Sequence, residues 1–100
     1  MTRDMQNAPY EWDEAKNRAN IQKNGVSFSE AMTVFDDDNA LYKTDPDHSH
    51  QEERFIILGY SFSLRLLIVC HCYRESSAVI RIISARKATK LEKKQYGGVP

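Results

Sequence analysis

Long apolar runs are missing from this 100-residue chain. No stretch approaches the ~20 apolar residues of a membrane helix, which argues against a bilayer-spanning protein. Glycine is scarce, at four residues, and none of them belongs to a phosphate-cradling loop or a nucleophile elbow; a zinc-peptidase motif is absent too. There are only two cysteines, Cys70 and Cys72. They fall in a predicted strand and share a face, but such near neighbours have poor geometry for a mutual bridge. Free thiols, with no apolar segment in residues 1–9 to act as a secretory signal, point to the cytoplasm. Net charge is also zero, which argues against indiscriminate binding to nucleic acid. Repeats and low-complexity segments do not occur. A single domain with one modest core is therefore expected over residues 10–96, between a disordered lead (1–9) and a flexible tail (97–100).

The zero net charge conceals a linear dipole. Residues 1–53 hold five basic and twelve acidic side chains, whereas residues 54–100 hold nine basic and two acidic ones. The basic half can present a local phosphate-binding face, or the halves can simply neutralise one another across the fold.

Hydrophobic patterning gives the element order. Tyr10, Glu11 and Trp12 read as an extended entry. Asp13 is a helix cap, and Gly25 stops that helix after Asn24. Its apolar residues are few (Ala15, Ala19 and Ile21), so it should lie on the surface of a sheet. Ser27 and Glu30 have capping-box spacing, and Phe28, Ala31, Met32 and Phe35 recur at helical intervals behind them. Strands are predicted over 40–43, 54–60, 65–73 and 79–85, the third of these apolar on both faces and hence central. The last three are joined by short links, which implies an antiparallel meander. A basic helix over 86–96 closes the chain before Gly97-Gly98. This β-α-α-β-β-β-β-α order is an α+β sandwich: an antiparallel sheet of four to five strands, two N-terminal helices and a C-terminal helix.

Several words of the sequence resemble one family. Tyr10-Glu11-Trp12-Asp13 with Lys16-Asn17, Lys23-Asn24-Gly25-Val26 with Phe28, Val34-Phe35 with Asp37, Glu53-Arg54 with Gly59, and Ile80-Arg81-Ile82-Ile83-Ser84-Ala85-Arg86-Lys87-Ala88-Thr89 are similar, in order and spacing, to the BrnT-type toxins of bacterial toxin–antitoxin pairs. Two positions depart from the pattern. Asn24 stands where the family usually has histidine, which removes an ionisable group. Lys93 stands where arginine is more usual, which keeps the charge but not bidentate binding. The resemblance implies a RelE-like fold, a toxin that inhibits translation by cleaving RNA, and a ribbon-helix-helix antitoxin partner through which the complex binds operator DNA. It also implies that Lys23 lies near the site.

The residues themselves suggest a phosphodiester site. With Tyr73 paired to Val79, His71 faces Arg81 across the last hairpin. A histidine can move a proton near neutrality, and an arginine can hold two phosphate oxygens. RNA supplies its own 2′-hydroxyl nucleophile, so positioning, charge and one proton acceptor suffice, with no metal or cofactor. Arg74 follows His71 in the turn. Arg86 and Lys87 stand at the strand–helix junction, where helix N–H groups also favour phosphate. Tyr96 can stack on a base or transfer a proton.

Each residue has a plainer reading. Arg81 can form a structural ion pair with Glu53 or Glu11, and His71 can be a satisfied, half-buried histidine. Lys23 suits a helix C-terminus. Lys90, Lys93 and Lys94 can be a solvated helix face, and Tyr96 can close the core edge. His48 and His50 beside Asp45 and Asp47 have metal-ligand chemistry but sit in a predicted loop without rigid support, so no metal is expected. The competing functional reading is an inactive binding module that pairs with an antitoxin and co-represses its operon.

Overall fold

The computed structural model of the chain describes residues 9–45, 53–76 and 78–97. Most of the expected lead, the His48–His50 loop, Ser77 and residues 98–100 lie outside them. The elements are β1 (Tyr10–Glu11), α1 (Glu14–Asn24), α2 (Phe28–Met32) tightening into a 3₁₀ turn (Thr33–Asp36), β2 (Leu41–Thr44), β3 (Phe55–Tyr60), β4 (Leu66–Arg74), β5 (Val79–Lys87) and α3 (Lys90–Gly97). The strands form one sheet in the order β1-β5-β4-β3-β2. Strands β2 to β5 pair antiparallel as the meander requires. β1 joins the edge parallel to β5, so the sheet is mixed.

One face of the sheet packs against α1, α2 and the 3₁₀ turn. Val26, Phe28, Ala31 and Val34 meet Ile57, Leu67, Val69, Ile82 and Ala85 there, with Trp12 and Phe35 at the margin. The other face carries a smaller cluster of Leu58, Leu66 and Ile68, on which Ala88 and Tyr96 pack.

Helix α1 begins and ends as the sequence indicates. Asp13 accepts hydrogen bonds from the Ala15 and Lys16 amides at 2.8 and 3.2 Å. Gly25 takes the left-handed conformation, φ 71°, which only glycine adopts without a Cβ penalty. Its inward face is unexpected: Ile21 is exposed, and the buried residues are Asn17 and Asn20. Asn20 donates to the carbonyls of Val26 and Ala85, each at 2.8 Å, and accepts from the Ala85 amide at 3.2 Å. Asn24 also donates to the Ala85 carbonyl, at 3.0 Å. Asn17 accepts from the Phe28 amide at 2.8 Å. Polar side chains thus fasten α1 to the backbone of β5 and of the next helix, where aliphatic packing was the ordinary solution.

Three local expectations are corrected. Ser27 does cap α2 through the Glu30 amide at 3.0 Å, but the Glu30 carboxylate turns to Arg65 and Ser61. The final helix begins at Lys90, not at Arg86, because β5 continues to Lys87 and the capping box lies at Thr89 and Glu92. The Glu92 amide donates to the Thr89 hydroxyl at 3.2 Å, and the Glu92 carboxylate accepts from the Thr89 amide at 2.8 Å. The last hairpin is offset by one residue: Arg74 pairs with Val79, Cys72 with Arg81 and His71 with Ile82. The turn accommodates this with Glu75 and Ser76 at positive φ, 51° and 59°. A bulge then leaves Ile83 outside the paired register and shifts the pairing by one more residue, so that Cys70 meets Ser84 and Val69 meets Ala85.

Gly59 marks a tight approach between β3 and the segment after α2. A Cβ there would stand 3.0 Å from both Ala40 Cβ and Val34 Cγ1, and 3.1 Å from Asp37 Oδ2. Gly59→Ala is expected to destabilise the fold by about 1–3 kcal/mol, an overpacking cost. A urea unfolding midpoint no lower than that of the unmodified protein would contradict this packing.

Candidate functional site

A cleft of about 410 Å³ opens at one end of the sheet, over the ends of β3, β4 and β5 and beneath α3. Tyr60, Leu64, Arg65, Leu66, Lys87, Ala88, Lys93, Tyr96 and Gly97 line it. Its three cations come from three elements: the β3–β4 turn, the last residue of β5 and the second turn of α3. Among the described residues, the Lys87 and Lys93 ammonium groups have no carboxylate within ion-pair distance. Both are exposed and free to meet an anion.

Arg65 is held in place. Its Nε donates to Glu30 Oε2 at 2.9 Å, and one terminal nitrogen donates to Glu30 Oε1 and, at 3.0 Å, to the Gly25 carbonyl. The other terminal nitrogen has no protein partner among the described residues. Hydrogen bonds from Arg65 keep the Glu30 carboxyl below the usual carboxylate range against the opposing effect of burial, and the Ser61 hydroxyl and nearby Lys87 add to it. Glu30 therefore fixes the guanidinium geometry and stays charged.

Tyr96 closes the cleft. Its hydroxyl donates to Asp37 Oδ2 at 2.7 Å, and its ring meets Tyr60 edge-on, centroids 5.1 Å apart. Burial and the bond to Asp37 push the tyrosine up to about 12. Burial pushes Asp37 up as well, but the Tyr60 and Asn39 amides and the Tyr96 hydroxyl outweigh it and hold the carboxyl low. In this arrangement Tyr96 is a wall with its proton committed to Asp37.

Arg86 serves α3. Its terminal nitrogens donate to both Glu92 oxygens at 2.8 and 2.9 Å, tying the end of β5 to the first turn of the helix. The Arg86 guanidinium is the main reason that the Glu92 carboxyl falls from its ordinary 4.5 to about 2; burial opposes this and the Thr89 amide assists it. A depressed folded-state value adds stability that is complete above the unfolded value and is lost as pH falls toward the folded one. Thermal stability should therefore decline between about pH 4.5 and about pH 2. Glu92→Gln should flatten that part of the profile, as differential scanning calorimetry at stepped pH would reveal; an unchanged acid limb would rule Glu92 out as its source.

The expected site residues divide into two groups. Lys87 and Tyr96 line the cleft, and Arg86 stands beside it, committed to Glu92. Lys23 occupies the last turn of α1, two residues before the Gly25 carbonyl that Arg65 holds. Arg81, His71 and Arg74 gather at the opposite end of β4 and β5. Arg81 lies six residues from Lys87, about 20 Å along the strand. Its guanidinium binds Glu11 at 2.7 Å, the ion pair with β1 that was the plainer reading. His71 and Arg81 are not cross-strand partners. His71 is completely buried on the helix side, against Phe35, Phe55 and Tyr73. Its Nδ1 donates to the Val69 carbonyl at 3.2 Å, Nε2 has no hydrogen-bond partner among the described residues, and burial lowers its proton affinity.

Arg65 and Lys93 were not singled out as site residues from the sequence. The available signal for Arg65 was an arginine following Leu64 in a strand-connecting turn, with Glu30 as a distant carboxylate. Pairing over 35 residues leaves no mark in local pattern.

A mixed five-stranded sheet with two helices on one face, and a basic cleft under a C-terminal helix, defines a small α+β protein. The sequence matches the family described as the ribonuclease toxin BrnT of type II toxin–antitoxin systems over residues 12–92, and the chain belongs to that family. The fold is similar to that of the Brucella abortus ribonuclease toxin BrnT, known from a 1.1 Å crystal structure. The TM-score is 0.60 at 23% identity, over 84% of this chain and 100% of that one. No curated protein sequence matches the chain. The protein is thus a toxin of the ribonuclease type, and its family places it in systems where toxin and antitoxin are paired.

Proposed function

We propose that the protein is a metal-independent endoribonuclease that blocks translation in the cytoplasm by cutting RNA, and that the cleft under α3 is its site. The observation that carries this reading is the convergence of Lys87, Lys93 and the braced Arg65 between two tyrosines. The scissile phosphate sits among these cations, which hold its non-bridging oxygens and stabilise the pentavalent transition state. The RNA's own 2′-hydroxyl attacks phosphorus. The bond to O2′ forms as the bond to O5′ breaks, leaving a 2′,3′-cyclic phosphate. The 2′-hydroxyl proton passes to a base, and a protonated lysine supplies the proton taken up by O5′. Tyr96 and Tyr60 flank the strand as walls.

A ribbon-helix-helix antitoxin covers the cleft when the toxin is idle and carries the complex to operator DNA. Complementary charge suits an acidic partner segment to these cations.

Incubation of the purified protein with total cellular RNA, with and without EDTA, is the direct test. Cleavage that persists in EDTA, with cyclic phosphate ends, is the expected result; cleavage abolished by EDTA would end the metal-independent reading. One observation favours the alternative of a non-catalytic binding module: Arg65, Arg81 and Arg86 each engage a carboxylate, and His71 is enclosed. Intact RNA after incubation, both free and on ribosomes, would support that alternative.

A further inference from the structure

A second hollow, of about 310 Å³, adjoins the cleft across Tyr60, which lines both. Thr33, Asp36, Asp37, Tyr60, Ser61 and Phe62 line it. Two features are unusual. Phe62 and Leu64, at the tip of the β3–β4 turn, are 74% and 81% exposed. The tip is nevertheless firmly built. The Ser61 hydroxyl donates to Glu30 at 2.6 Å and accepts from the Ser63 and Arg65 amides at 3.2 and 3.4 Å. The Phe62 amide donates to the Thr33 hydroxyl at 3.0 Å. Leu64 is held at φ 62°, a strained conformation for a leucine that gains little burial in return. The same Glu30 that orients Arg65 in the cleft therefore also anchors the aromatic tip.

The polar groups of the hollow are unequal. Asp37 is fully engaged with the Asn39 and Tyr60 amides and the Tyr96 hydroxyl. Asp36 is exposed and makes no hydrogen bond or ion pair among the described residues. A planar ligand stacked on Phe62 or Tyr60 would meet the Asp36 carboxylate as an available acceptor. Next to a cationic phosphate cleft, exposed aromatics are the usual means of holding splayed bases of single-stranded RNA.

We propose that this hollow is the base-selecting subsite of the RNA-cleaving site, and that it takes guanine from a single strand. The proposal rests on the reading of the cleft given above. Guanine presents two adjacent donors on its Watson–Crick edge, N1–H and the exocyclic amino group, which match the two oxygens of the Asp36 carboxylate. Cytosine and adenine present one amino group, and uracil presents N3–H flanked by two carbonyls that a carboxylate repels.

The test uses the full-length protein and two single-stranded oligoribonucleotides, oligouridine and oligouridine with one central guanosine. Every 2′-hydroxyl is methylated so that no nucleophile is available. Binding is measured by fluorescence anisotropy, and folding of each variant by circular dichroism. The guanosine strand should bind about tenfold tighter than oligouridine. Asp36→Asn should reduce the guanosine strand to the oligouridine level, while Phe62→Ala should weaken both strands about tenfold. With the variants folded, wild-type affinity of both for the guanosine strand would overturn the subsite, as would a wild-type protein indifferent to guanosine. If such a protein still cuts natural RNA in EDTA, only the subsite fails. If it neither binds nor cuts RNA, the cleft reading fails with it.

Discussion

Asn20→Ala is expected to cost about 3–5 kcal/mol of folding stability, a large share of the ~5–15 kcal/mol typical of a domain. The side chain serves four polar groups: it donates to the carbonyls of Val26 and Ala85 and accepts from the Ala85 amide and the Asn24 side chain. Truncation leaves the Ala85 amide and the Val26 carbonyl without their Asn20 partner, at about 1–3 kcal/mol for each buried unsatisfied group. Asn20→Leu should do no better, because an added apolar contact does not satisfy either group. Urea unfolding followed by circular dichroism measures the loss. If either variant lies within 1 kcal/mol of the unmodified protein, as an order-of-magnitude margin, the clasp between α1 and β5 is not a main support of the fold. Because Ala85 lies two residues before Lys87, a loosened clasp should also disturb the cleft.

The largest expected effect on activity comes from the paired variant Lys87→Ala with Lys93→Ala. A charge-assisted hydrogen bond contributes about 1.5–3 kcal/mol, so losing both should slow RNA cleavage by roughly 10²–10⁴-fold. Both ammonium groups are exposed, with no carboxylate within ion-pair distance among the described residues, so thermal stability should stay nearly unchanged. Loss of two phosphate contacts should also make RNA binding less sensitive to salt. Cleavage rates and a salt titration on the same preparations decide the matter; a double variant that cuts RNA at the wild-type rate would remove the cleft from consideration. Arg81→Ala provides the contrast. It breaks the pair with Glu11 and loosens β1, so cleavage should fall only as far as the folded fraction does.

Much of the fold was readable in advance because its signals are local. Asp13 and Gly25 bracket α1 through bonds spanning four residues or fewer. Ser27 starts α2 in the same way, and the apolar runs at 55–60 and 66–72 could pack only as inner strands. The box at Thr89 and Glu92 is equally local, but the basic run from Arg86 reads as the start of the helix. The continuation of β5 to Lys87 hides that start: two charged residues at a strand end resemble the opening of a polar helix, yet Lys87 still pairs with Leu67. The offset of the last hairpin followed from the turn, since two non-glycine residues at positive φ leave no distinctive word in the sequence.

Site residues were harder to assign than elements. Lys87 and Tyr96, both candidates from the sequence, line a common cleft because both flank the same strand–helix junction. Grouping His71, Arg74 and Arg81 with them assumes that the closing hairpin and the strand–helix junction share one end of the sheet. A nine-residue strand separates its two ends by far more than the length of an arginine side chain.

Element type, capping and membership of the BrnT family are legible in the linear chain because they depend on residue identity over short spacings and on a run of matching words. The inward asparagines of α1, the commitment of Glu30 to Arg65 rather than to its own helix, and the choice of which cations remain unpaired emerged only on folding. A charged side chain takes whichever partner the packed backbone brings within reach, and that partner here lies up to 70 residues away, as Glu11 does from Arg81.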